Sequence, residues 1–306
     1  MSKTAFIFPG QGAQYPGMGK DFYMKYEVAR EIYELAGKAT GLDVAALCFE
    51  ENDQLNITEY TQIAMLTTEV AILKVLEQKG LKADCCAGLS LGEYGALAAA
   101  RVMESEDLFR LIRSRGIYMQ EAYPTGGAMT AVLGLDADAI REICENTEGI
   151  VSIANDNCPG QIVITGEEDA VQAAAAKLQA AGAKRCIPLK VSGPFHSRLL
   201  TGAGEKLAEK LADVTVQNPV IPYLSNVEAA FVTDSARVKE LLAKQVSGTV
   251  RWRETMERML ADGVDTFIEI GPGKTLTGFL RKISKEATVF NVEKVEDLEK
   301  LGISEE

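Results

Sequence analysis

Gly88-Leu89-Ser90-Leu91-Gly92 joins a short apolar run, Ala83 to Leu89, to an Ala-rich helix former, Leu91 to Ala100. A strand that turns at once into a helix restricts the architecture sharply. Apart from Asp84, Ala83–Leu89 is apolar, as in a parallel strand covered on both faces, and strands separated by helices build α/β layers. The two glycines allow a tight turn that stands Ser90 Oγ exposed between strand and helix. A plain βα turn in which Ser90 caps the helix is the simpler alternative. A serine hydroxyl is a weak nucleophile and needs a base within hydrogen-bond reach. The chain contains one histidine, so a histidine base can only be His196.

The 306 residues, 47% hydrophobic and 25% charged, suit a globular protein with one large core or two unequal domains. No apolar stretch approaches the length needed to cross a bilayer. Ser2 to Pro9 reads as a short strand and not as a signal peptide. The six cysteines, at 48, 85, 86, 144, 158 and 186, show no C-x-x-C spacing. They read as small buried hydrophobes in a reducing cytoplasm. A net charge of −12 disfavours nucleic acid or an anionic membrane as partner. One histidine and no cysteine cluster lead us to expect no metal site.

Phe6-Ile7-Phe8 is a strand, followed by helices around 21–38 and 61–79 and then the Ser90 elbow. From Gly126 the rhythm changes to strand 128–135, helix 136–147, strands 150–155 and 161–165, helix 168–180 and strand 184–191. That βαββαβ order is the ferredoxin-like unit. We therefore expect a large α/β-hydrolase-like domain with a parallel sheet, residues 1–125 and 195–306, and an inserted ferredoxin-like domain at 126–194. Pro124–Gly127 and Ser192-Gly193-Pro194 are the expected hinges. His196 then falls at the junction of the two domains, where ligand sites are favoured. Thr266–Ile270 is a last strand before Gly271-Pro272-Gly273 and a helix ending near Ile283. The charged residues after Val292 suggest a peripheral helix or a frayed tail.

Phe8-Pro9-Gly10-Gln11-Gly12 follows the first strand directly. It fits a turn, or a weak phosphate-type loop without the Lys-Ser/Thr of a P-loop. It also fits an oxyanion loop, with Gln11 N–H as one donor and Leu91 N–H, next to the nucleophile, as the other. On a helix through 107–122, Arg115 falls in the middle of an apolar face, while Arg110 and Arg113 point the opposite way. A buried guanidinium needs a partner. A structural ion pair and a fork for a substrate carboxylate are both open readings here.

Together these pieces resemble the malonyl-CoA:acyl carrier protein transacylase family. The resemblance rests on Phe8–Gly12, Gly88–Tyr94, Arg115 before Tyr118-Met119-Gln120, and Asn155 before Pro159-Gly160-Gln161. It continues through Gly193–Ser197, Gln245 ahead of Val250-Arg251-Trp252, and Glu269–Gly273, covering about residues 3–292 in the family's order. It implies Ser90 as the nucleophile that carries the malonyl ester and His196 as base and then acid. It further implies that the Gln245 carbonyl orients His196, that Gln11 and Leu91 supply the oxyanion hole, and that Arg115, with Gln11 and Asn155, binds substrate. No cofactor is expected beyond coenzyme A as the substrate thioester, and acyl carrier protein is the implied partner. Leu89 stands where the family usually has histidine.

Malonyl transfer in fatty acid biosynthesis is the resulting expectation. A serine (thio)esterase using the same pair is the rival, and a nucleotide-binding module on Gly10–Gly12 is a third reading. Because the chain is itself acidic, docking an acidic carrier requires local basic groups. Lys184, Arg185, Lys190 and Arg198 form one candidate set; Arg281, Lys282 and Lys285 form another.

Overall fold

The computed structural model describes residues 2–191 and 193–303. Ser192, placed above at the second hinge, lies outside the described residues. The chain begins with β1 (Lys3–Phe8), α1 (Lys20–Lys25), α2 (Glu27–Thr40), α3 (Val44–Phe49) and α4 (Thr58–Gln78). Then β2 (Cys85–Gly88) turns into α5 (Gly92–Ala99), followed by α6 (Ser105–Ala122). The middle of the chain is β3 (Gly127–Leu133), α7 (Ala137–Glu145), β4 (Val151–Cys158), β5 (Gln161–Glu167), α8 (Glu168–Ala180) and β6 (Arg185–Pro188). The return runs through α9 (Thr201–Ala212), β7 (Tyr223–Leu224), β8 (Phe231–Val232), α10 (Val238–Gln245), α11 (Trp252–Ala261), β9 (Val264–Ile270), α12 (Thr275–Ile283) and β10 (Thr288–Val292).

The larger sheet has the order β10-β9-β1-β2-β7-β8 and is parallel except for the last pair. Both faces of its centre are covered. Phe6, Phe8 and Cys86 face the core built with α4, while Ala5, Ile7, Cys85 and Ala87 face Trp252, Met256 and Phe279 from α11 and α12. Side chains alternate along a strand, so adjacent Cys85 and Cys86 serve opposite cores. The helix α4 is buried nearly all round and not on one stripe, as a helix at the centre of a large core must be.

Phe8 pairs with Gly88, so the loop after β1 and the elbow after β2 leave the sheet side by side. Parallel sheets gather ligand sites at such carboxyl ends.

The second sheet is antiparallel, in the order β4-β5-β3-β6, the strand order of a βαββαβ ferredoxin-like unit. Its helices α7 and α8 cover one face, enclosing Val132, Ile140, Ile162, Ile164 and Leu178. On the other face Met129, Ala131 and Val163 join the core of the larger body. The β4 edge is stitched to that body: Val250 N–H donates to Ala154 O at 2.8 Å, and Asp156 N–H to Val250 O at 2.9 Å. Arg253 adds a forked pair to Asp156, with Nε and Nη2 at 3.0 and 2.9 Å from Oδ2.

Arg113 pairs with Glu59 at 2.7 Å and its guanidinium lies 4.6 Å from the Tyr60 ring centre, because the start of α4 passes its side of α6. Of the two options for the residues after Val292, those described, up to Ile303, take the helical one. They form β10's continuation into a 3-10 helix, Val295–Leu301, with Leu298 fully buried.

Candidate active site

At the elbow the backbone is as tight as the sequence demands. A Cβ on Gly88 would lie 1.8 Å from Gly92 O, and one on Gly92 would lie 2.3 Å from Phe8 O. Ser90 itself sits at φ 56°, a left-handed conformation that is costly for a residue with a Cβ. Its N–H is tied to Asn226 Oδ1 at 2.7 Å. His196, on the segment returning from the small sheet, has φ 59°.

Ser90 Oγ and His196 Nε2 are 2.7 Å apart. The other ring nitrogen, Nδ1, lies 2.9 Å from Gln245 O and 3.1 Å from Gly248 O. Two carbonyls facing Nδ1 require it to carry the hydrogen, which leaves Nε2 as the acceptor toward Ser90. Burial, aided by the nearby Arg115 charge, lowers the His196 pKa to about 4. The ring is thus neutral near pH 7 and able to take a proton from the serine.

Arg115 is 1% exposed and has no carboxylate within ion-pair distance among the described residues. Its Nη1 donates to Gln62 Oε1 at 2.7 Å; its Nη2 donates to Gln245 Oε1 at 3.0 Å and to Ser90 Oγ at 3.2 Å. Its Nε has no partner. Burial lowers its pKa, and the fields of Tyr94 and Glu93 oppose that effect. A guanidinium cannot shed its charge in a protein, so this site holds a cation with neutral acceptors only.

Gln11 and Leu91 border the same cavity, of about 240 Å³. Their backbone N–H groups donate to no protein atom among the described residues. The Gln11 side chain turns away to Thr58 at 3.2 Å. Asn155 also lines the cavity, beside Asn157, while Leu89, Leu276 and Phe279 form an apolar side. The structure therefore brings together all seven of the residues that sequence singled out.

Four further groups were not foreseen: Gln62, Glu93, Asn226 and the Gly248 carbonyl. Gln62 had at most a weak signal, an amide at the head of the apolar run Ile63–Leu66 of α4. Asn226 had none, because the two-residue β7 before it is too short for any periodicity.

A family profile described as an acyl transferase domain matches residues 5–303. The chain belongs to the acyl transferase family. Within it, this acyl transferase falls among the malonyl CoA-acyl carrier protein transacylases. It is 43% identical over 304 residues to the protein of that name from Bacillus subtilis (strain 168), covering 98% of this chain and 96% of that one. The Streptococcus pneumoniae enzyme structure superposes with a TM-score of 0.95 at 48% identity, covering 98% of this chain and 99% of that one. A malonyl-transacylase solved in complex with its holo type II PKS acyl-carrier protein has the same TM-score at 39% identity, with 98% of each chain covered.

Proposed function

We propose that this acyl transferase moves the malonyl group from malonyl-CoA to the phosphopantetheine thiol of acyl carrier protein, supplying fatty acid biosynthesis. The observation that carries the reading is Arg115: a buried cation without a carboxylate, 3.2 Å from the nucleophile's oxygen. A malonyl group brings the missing carboxylate, which a planar fork accepts well. An acetyl group would leave the guanidinium unmatched, at a cost large enough to discriminate strongly.

Ser90 Oγ attacks the thioester carbon while its proton passes to His196 Nε2. The developing oxyanion is received by Gln11 N–H and Leu91 N–H, each such donor contributing about 3 kcal/mol. The C–S bond breaks, and the coenzyme A sulfur leaves with the proton from His196. In the second half the carrier thiol gives its proton to His196 and attacks the ester carbon, and Ser90 Oγ recovers a proton as it leaves. The carbonyls of Gln245 and Gly248 stabilise the imidazolium of each step. Neutralising Arg115 with the malonyl carboxylate also removes a charge that disfavours that imidazolium, so recognition and base strength are coupled.

Coenzyme A enters only as the substrate thioester, and no further cofactor takes part in these steps. The proposed division at 126 and 194 sets the site where insert meets body. Lys190 is exposed between Leu189 and Val191, both of which line the cavity, and this favours the Lys184–Arg198 set for carrier docking. The six cysteines are free thiols, consistent with a cytoplasmic setting.

Intact-protein mass spectrometry after malonyl-CoA addition tests the reading. A malonyl adduct on Ser90 that persists in water and discharges to carrier thiol is expected. Rapid loss in water would make the protein a hydrolase, and no adduct would overturn the donor.

A further inference from the structure

Two residues that reach the nucleophile from different directions, one through its main-chain N–H and one through its side-chain amide, end on one atom. Asn226 N–H and Gln245 Nε2 both donate to Glu93 Oε2, at 3.2 and 2.8 Å. Glu93 is the second residue of α5, three beyond Ser90, and is fully buried. From that oxygen the hydrogen bonds divide.

Asn226 Oδ1 accepts from Ser90 N–H at 2.7 Å, and its Nδ2 donates to Gly88 O at 2.6 Å. It thereby clasps both sides of the elbow and holds the left-handed turn. Gln245 Nε2 also donates to Ser90 O at 2.8 Å, while its Oε1 receives Arg115 Nη2 at 3.0 Å. The main-chain oxygen of the same residue faces His196 Nδ1.

Buried carboxylates are ordinarily paired with a cation. Glu93 touches none: Arg115 acts on it through space with Gln245 between them, and Tyr94 and Tyr223 are its other titratable neighbours. Burial raises its pKa to about 7, against the opposing bonds from Gln245 and Asn226 and the field of Arg115. Its second oxygen, Oε1, has no partner, so a proton there leaves both bonds to Oε2 in place. The arrangement uses an acceptor at a fixed point, not a charge.

We propose that Glu93 is a positioning residue for acyl transfer, whose Oε2 fixes Asn226 and Gln245 and through them sets Ser90, His196 and Arg115 in one register. The proposal rests on the acyl-transfer reading above. Misplacement of reacting groups by about 1 Å can cost 10²-fold in rate, and Glu93 governs two such placements at once.

Single-turnover acylation by malonyl-CoA and by acetyl-CoA, read by intact mass, is the test. Glu93→Ala should slow malonylation about 100-fold and lower the malonyl-to-acetyl ratio about tenfold, because Arg115 loses its fixed neighbour. Glu93→Gln, which keeps an acceptor oxygen without charge, should recover to within about threefold of wild type with the ratio restored. Loss of packing alone would not shift that ratio. If Glu93→Ala does not fold, Glu93→Asp replaces it, since it keeps the charge but withdraws the oxygen by one methylene; the same losses are expected. Wild-type rate and ratio in the shortened variant would overturn the proposal, as would a Glu93→Gln enzyme as impaired as Glu93→Ala. A wild-type chain that takes no malonyl group would instead overturn the function on which it rests.

Discussion

On the large-sheet side of the cavity, Ser90, His196, Gln62, Arg115 and Gln245 are joined by hydrogen bonds of 2.7 to 3.2 Å. On the small-sheet side, Met129, Val163, Leu189 and Val191 present carbon, with Asn155 and Asn157 as the amides among them. The polar wall fixes directions, because a hydrogen bond weakens steeply as its angle departs from linear. The apolar wall fixes only volume, and apolar surfaces of similar size substitute for one another at modest cost. Chemistry and acyl choice should therefore fail steeply on the first wall and drift gently on the second.

The largest break is expected at the nucleophile. Ser90→Ala should abolish the malonyl adduct and lower turnover by about 10⁴- to 10⁶-fold, measured with carrier protein as acceptor. A slow residual adduct elsewhere would show that another group carries the acyl chain. Next, Arg115→Ala should reduce the malonyl-over-acetyl preference by about 10³-fold, chiefly by losing malonyl transfer. Unchanged selectivity in competition assays would make Arg115 structural.

A third effect separates two buried groups on the polar wall. His196 has its pKa lowered from 6.5 to about 4. Its contribution to stability is present above about pH 6.5 and is lost as pH falls toward 4. Glu93 is raised from 4.5 to about 7, so its contribution is present below about pH 4.5 and is lost as pH rises through 7. Each is worth about 3 kcal/mol across its window, with opposite sign. Urea unfolding between pH 4 and 7.5 should show Glu93→Gln gaining on wild type as pH rises and His196→Gln gaining as pH falls. Parallel curves for all three proteins would remove both assignments. The smallest effect belongs to the apolar wall: Val163→Ala should cost about 1 kcal/mol and raise KM for malonyl-CoA severalfold, with acyl preference shifted less than twofold. A large loss of preference there would erase the contrast between the walls.

Legibility in the sequence follows the same division. The Ser90 elbow could be read because it is local: five consecutive residues encode strand, turn and helix. The βαββαβ insert could be read because its strands and helices keep their own periodicity, and the helix expected at 168–180 has those limits. Arg115 was placed correctly on a buried face, yet its partners were out of reach. Gln62 and Gln245 lie 53 and 130 residues away, and nothing local in either segment points to the other. Short elements such as β7 and β8, two residues each, exist only because the parallel sheet beside them offers an edge. The Glu59 partner of Arg113 was out of reach too, because helical phase says which way a side chain leaves its axis and not what other helix waits there.

Ser90 and His196 both sit in left-handed backbone, at φ 56° and 59°, where glycine would rest without strain. Each position costs on the order of 1 kcal/mol or more, and stability and activity therefore make opposed demands on the same two residues. A descendant relieved of its catalytic duty would gain foldedness by drifting to glycine at either place. Purifying selection at these codons acts against a downhill thermodynamic slope.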